Sequence, residues 1–239
     1  VIQHPTFSLT LPSTKQKIHF RPFLVKEEKL LLIAQSSDDQ TDIIRAIKQV
    51  ITNCITDADV NVEKFTTFDL EYFFVKLRAK SVQNIVSLSY RDNEDNQIYE
   101  VTVNLDEVEV TEQADVQNKI EISGDSGIML KYPQLDIMNT VEKITDPVEF
   151  NFAIMEACID CVYQGDNVYK TSDFTRDEVK EFIDSLDVKT YQSIQKFIEA
   201  MPRLEHTVSY VNSNDKKVEI TLRSLTDFFT LRWAITLYR

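Results

Sequence analysis

Apolar and polar positions alternate over residues 6–11 (TFSLTL) and 17–21 (KIHFR), with a Pro-Ser-Thr-Lys-Gln break between them. Period-two alternation around turn-forming residues predicts a β-hairpin. The next stretch, VKEEKLLLIAQSS, predicts a short helix that fades into the polar joint SSDDQT. From Asp42 the period changes. Ile43, Ile44, Ile47, Val50, Ile51, Cys54 and Ile55 fall on one stripe at helical spacing. After the break TDADVNVEK, Phe68 to Lys80 predicts another helix, with Thr66 or Thr67 as N-cap and acidic residues in its first turn. Residues 85–105 then read as a long hairpin about the turn at 92–96.

The second half repeats this order. NKIEIS and IMLKYP flank the turn GDS, QLDIMNTVEKI reads as helical, and Pro147 opens a helix. Phe150, Ile154, Ala157, Cys158, Cys161 and Val162 make the expected buried stripe of that helix. FTRDEVKEFIDSL predicts a helix with Thr175 and Glu178 as a capping box. VKTYQSIQKFIEAM adds a further helix ended by Pro202, HTVSYVNSNDKKVEITLRSL a second long hairpin, and TDFFTLRWAITLYR a closing helix. Pairs of like residues recur in order: Pro22 and Pro133, Ala46-Ile47 and Ala153-Ile154, Cys54 and Cys161, Ser89-Tyr90 and Ser209-Tyr210, Leu105 and Leu225. The expected fold is therefore α+β, with antiparallel strands in two duplicated hairpin–helices–hairpin units. These would span 1–112 and 113–239, the second carrying an extra helix.

Composition narrows the function. The chain has 239 residues, 39 acidic against 26 basic, for a formal net charge of -13. Phosphate backbones require basic partners, so no nucleic-acid role is expected. With three glycines the chain lacks the Gly-rich loops that cradle phosphates and dinucleotides, and no cofactor or small-molecule ligand is expected. No apolar run approaches the roughly 18 residues of a membrane span. No secretory signal is visible at a start that is Val1 rather than Met, so the expectation is a soluble cytoplasmic protein.

Candidate chemistry is sparse. GDSG (124–127) resembles the nucleophile string of chymotrypsin-like proteases. Ile128 follows it, however, and none of His4, His19 and His206 has a suitable setting, so it reads as a β-turn. Cys158 and Cys161 form a C-x-x-C, but they fall mid-helix on the apolar stripe and have no second pair for zinc. They read as core thiols. LDEVEVTEQAD (105–115) lacks the glycine of a calcium loop and reads as a solvated linker between the halves. No catalytic or metal-binding residue is assigned.

Five residues are candidates for partner binding. Arg78 and Lys80 belong to KLRAK (76–80), which is either a basic strip or a solvated helix end. Trp233 lies in the last helix and is either core closure or an interface anchor. Arg21 and Phe23 sit in RPFLVKEEK. They either anchor a partner, or Phe23 and Leu24 staple the first hairpin to the first helix.

LPSTKQKIHFRPFLVKEEKLLLIA, IKQVITNCI and FDLEYFFVKLRAKSV resemble the T4-type bacteriophage baseplate protein family, which comprises hub subunits and hub-assembly proteins of contractile-tailed phages. The resemblance is carried by roughly the first 90 residues. It implies a late viral protein made in the host cytoplasm and working on the baseplate hub with other hub proteins, with no catalytic motif to carry over. Three functions follow: a structural hub subunit of the virion tail, a transient assembly chaperone or catalyst absent from the virion, or, remotely, a tail-associated hydrolase. The last requires two carboxylates with raised pKa values in one cleft.

Overall fold

A computed structural model describes residues 3–36, 40–111, 116–137, 141 and 143–229. The chain is α+β, and every strand pair among the described residues is antiparallel. Strands β1 (Phe7–Thr10) and β2 (Lys17–Phe20) form the predicted first hairpin. Helices α1 (Val25–Ser36), α2 (Gln40–Cys54) and α3 (Thr67–Ser81) follow, then the hairpin of β3 (Ile85–Arg91) and β4 (Ile98–Asn104). The rest of the order is β5 (Glu109–Val110), β6 (Lys119–Ser123), β7 (Ser126–Leu130), α4 (Pro147–Cys158), β8 (Ile159–Gln164), β9 (Asn167–Lys170), α5 (Arg176–Asp184), α6 (Val188–Glu199), β10 (Leu204–Val211), β11 (Lys217–Leu222) and α7 (Leu225–Phe228).

Two compact units share these elements, and neither is continuous in sequence. The first holds Val1–Val62, Phe68–Thr111 and Arg203–Arg239; the second holds Glu63–Thr67 and Glu112–Pro202. One junction, Thr111/Glu112, lies beside the 112/113 division read from the sequence, while the segment after Pro202 packs with the first unit.

In the first unit α3 is buried almost all round, and the polar side chains Asp69, Lys76 and Arg78 are enclosed along with its apolar ones. Phe20 of β2 packs on Phe73 at 5.2 Å, and α2 contributes Ile47, Val50, Ile51 and Cys54. Asp69, in the first turn of α3, accepts hydrogen bonds from Ser13 N (3.0 Å) and Ser13 Oγ (2.5 Å), tying the β1–β2 turn to the helix. In the acidic stretch, residues 105–111 differ from the expected linker, and 112–115 lie outside the described residues. Leu105 and Val108 are fully buried, and β5 pairs with β10 through Leu204–Val110 and Glu205–Glu109. Its apolar positions alternate with its acids, so it serves as a sheet edge, and the acids face water.

The β3–β4 and β10–β11 hairpins meet at their turns. Tyr99 stacks on Tyr210 with ring centres 4.5 Å apart and planes 20° from parallel. Tyr210 Oη donates to Asp92 at 2.7 Å, and Ser213 donates to Asp95 through its backbone N–H (3.0 Å) and its hydroxyl (2.6 Å). Lys216 pairs with Glu94. Asn96 and Asp215 take the left-handed conformation that closes these turns, with φ of 59° and 56°.

The second unit is a four-stranded sheet in the order β6-β7-β8-β9, covered by α4, α5 and α6. Ile128, Leu130, Met155, Ile159, Ile183, Ile194 and Phe197 form its core. Asp146 caps α4 with Pro147 in the first turn, and Thr175 and Glu178 form the predicted capping box of α5. The stripe expected to run through Val162 is corrected here. The helix stops at Cys158, and Cys161 and Val162 lie on β8, which turns back as β9. Within α4 itself Ala153, Met155 and Cys158 are buried, and Phe150 is exposed. GDSG is a β6–β7 turn with Gly124 at φ 51°. In the segment predicted as a helix over 134–144, Leu135–Ile137 is a 3-10 turn, and residues 138–140 and 142 lie outside the described residues.

Candidate protein-binding surface

The chain reverses between β8 and β9 through Gly165 and Asp166, with Gly165 at φ 58°. A glycine with positive φ at the first central position suits a two-residue hairpin. The residues flanking such a turn, Gln164 and Asn167, form a hydrogen-bonded pair, and pairs alternate outward from there. Asn167 and Tyr169 therefore direct their backbone groups at β8, while Val168 directs both of its groups, and Lys170 its N–H, to the opposite side; the Lys170 C=O opens the 3-10 turn Thr171–Asp173. No strand among the described residues pairs with that side of β9.

Beside this edge the surface is apolar. Val168 is 59 % exposed, Tyr169 43 % and Phe174 44 %. Tyr169 lies opposite Val162, and these two line a groove with Thr171, Phe174, Glu178, Val179 and Phe182. The groove encloses about 680 Å³, its open mouth included. Thr171 Oγ1 donates to Ile159 O (2.7 Å) and Asp160 O (3.0 Å), fixing the exit of β9 against the start of β8. The capping box then sets the first turn of α5, so that Val179 and Phe182 form the far wall and pack against the core. The hydrogen bond from Thr175 N to Glu178 (2.8 Å) holds that carboxyl below the usual range. A preformed apolar wall, an unpaired backbone edge and one ionised carboxylate suit binding of a chain rather than proton transfer.

The residues singled out from sequence fall elsewhere. Phe23 is 8 % exposed and Arg78 2 %, so both side chains are inside the first unit. Arg21 donates to the fully buried Glu27 at 3.0 Å, to Pro22 O and to Asn53 O, both at 2.9 Å. Burial opposes the charge of Glu27, but Arg21 and the Leu24 N–H outweigh it and hold the carboxyl below its ordinary value. This network joins the end of β2 to the start of α1 and the end of α2. KLRAK is not a solvated helix end. Lys76 is buried and donates to Leu105 O (3.3 Å) and Asp106 O (2.6 Å), and Lys80 alone reaches the surface, paired with Asp106 at 2.8 Å. Trp233 lies outside the described residues.

Other chemistry-bearing groups have structural roles. Cys54, Cys158 and Cys161 are buried free thiols. Among the described residues, no group of three or more His, Cys, Asp or Glu side chains is placed to hold a metal ion. Glu71 of α3 has its pKa raised to about 7, chiefly by burial and further by Asp227. Asp227 itself accepts from Arg223 N (2.8 Å) and Ser224 N (2.9 Å) to cap α7, so this carboxylate pair belongs to the helix junction.

Sequence reasoning missed Val168, Tyr169 and Phe174. The signal was the Gly-Asp pair between VYQ and NVYK, hidden because Cys158, Cys161 and Val162 also fit a helical stripe. No curated protein and no solved structure matches the chain. The sequence model of the family described as T4 bacteriophage base plate protein matches residues 4–230, which covers almost every element of both units. The chain belongs to the T4 bacteriophage base plate protein family.

Proposed function

We propose that this base plate protein is a non-catalytic component of the hub of a contractile-tailed phage, acting in hub assembly through protein–protein contacts as a structural hub subunit. The observation that carries this reading is the unpaired edge of β9 with its apolar groove. Exposed apolar surface beside an open strand edge is a feature that partners cover. Mass spectrometry of purified particles is the test: a fixed copy number per baseplate is expected. A net charge of -13 favours a second reading, a chaperone that stays soluble and leaves before the particle is complete. Recovery in hub complexes of infected-cell lysate, with none in particles, is its signature. Absence from both sinks the hub assignment.

A further inference from the structure

We propose that β9 accepts an extended, basic-flanked apolar segment of another chain as a fifth strand of the second unit's sheet. The proposal rests on the binding role argued above and gives it a partner chemistry. Val168 offers an outward N–H and C=O and Lys170 an outward N–H, the donor and acceptor pattern an added strand uses, while the Lys170 C=O opens the 3-10 turn Thr171–Asp173. An incoming strand's side chains alternate in the same way. Those facing the Tyr169 side meet the groove against Phe174 and Phe182, and those on the other side meet Val168.

Charge selects among the possible occupants. Glu178 lines the groove, and the segments bordering it carry exposed Asp166 and Asp173, whereas Asp177 lines a separate pocket together with Arg176 and Lys180. Lys170 is the nearest cation in β9, while Arg176 is held by Glu156 at 2.8 Å. An acidic border on a chain of net charge -13 disfavours a second copy of the same edge and favours lysines or arginines on either side of the incoming core. The tyrosine and phenylalanine walls favour a branched or aromatic side chain in the groove.

The test uses the full chain and a synthetic peptide with an alternating Val-Phe core between lysine pairs, followed by fluorescence anisotropy. Two controls are the same core between glutamate pairs and the lysine peptide N-methylated at every second core residue, in each register. Saturable binding is expected, weakened at least about tenfold by the glutamate flanks, by N-methylation in one register, and by Val168→Pro in the protein. The N-methylated peptides read strand addition on the unmodified protein and so do not depend on the variant folding. Equal binding of lysine- and glutamate-flanked peptides, indifference to N-methylation, or no binding at all overturns the proposal. Self-association abolished by Val168→Pro overturns it in favour of a second copy. A Val168→Pro chain that still enters hub complexes sinks the β9 assignment and leaves the hub reading standing. A wild-type chain that enters none sinks the hub reading, whatever the peptides do.

Discussion

The β3–β4 and β10–β11 turns and the β8–β9 hairpin handle the same problem in opposite ways. At the paired turns the polar groups are answered within the chain, although Ile98 and Val211 there are exposed: Asp92 and Asp95 accept from Tyr210, Ser213 and Tyr99, and Lys216 meets Glu94. At β8–β9 the turn is tight and the strand well placed, yet its outer backbone groups and the side chains of Val168, Tyr169 and Phe174 are left to solvent. A strand end that is satisfied within the chain stabilises its own unit. One left open adds little to stability and is available to a partner. The difference separates architecture from function more sharply than composition does.

The largest perturbation of that contrast is to dismantle the sheet that carries the open edge. Gly127 of β7 sits opposite Tyr163, and a Cβ there would collide with the tyrosine ring and with Ile120 O. Gly127→Ala is expected to cost about 3 kcal/mol, because the backbone of β6 must move as well. Chemical denaturation checks this, and an unchanged midpoint refutes the packing account.

Two pH effects of opposite sign come next, both in the first unit. Glu71 titrates near 7 in the folded chain, above the ordinary carboxylate value. Its contribution is a destabilisation that is absent below about pH 4.5, grows as pH rises, and is complete above about 7. Glu71→Gln is expected to recover about 2 kcal/mol at pH 8 after discounting for solvent screening, and nothing at pH 4. The turn carboxylates behave in reverse. Removal from water opposes the charge of Asp95, but hydrogen bonds from Ser213 and Tyr99 hold its pKa well below normal. The hydrogen bond from Tyr210 chiefly does the same for Asp92. Their stabilisation is present above the ordinary carboxylate pKa and is lost as pH falls through their lowered values. Asp95→Ala is expected to lower the thermal midpoint by a few degrees at pH 7 and by less in strong acid. A pH-independent loss argues against the hydrogen-bond account.

The smallest effect is expected where the function is placed. Phe174→Ser should cost no more than about 1 kcal/mol of stability, since nearly half of the side chain is already in water. It should nevertheless weaken peptide binding at β9. A large loss of stability instead would make Phe174 a core residue and dissolve the contrast.

The hairpins around 92–96 and 212–216 were legible because turn residues and period-two alternation coincide there. The capping box at Thr175 was legible for the same local reason. What escaped was decided by distance in sequence. Arg21 looks exposed until Asn53 O and Glu27 are folded beside it, and Arg78 until α3 is enclosed. Residues 158–162 satisfy helix and strand periods alike, so only the pairing of β8 with β7 and β9 decides between them. The candidate surface therefore stayed invisible, although every residue of it is local.

The buried thiols have a practical consequence. Burial pushes Cys54 and Cys158 up to about 12 and raises Cys161 as well, so all three are poor nucleophiles toward maleimides and iodoacetamides at neutral pH. The wild-type chain thus provides a silent background. A cysteine introduced at position 168 would be the one readily labelled site, and a dye there would report occupancy of the strand edge without further engineering.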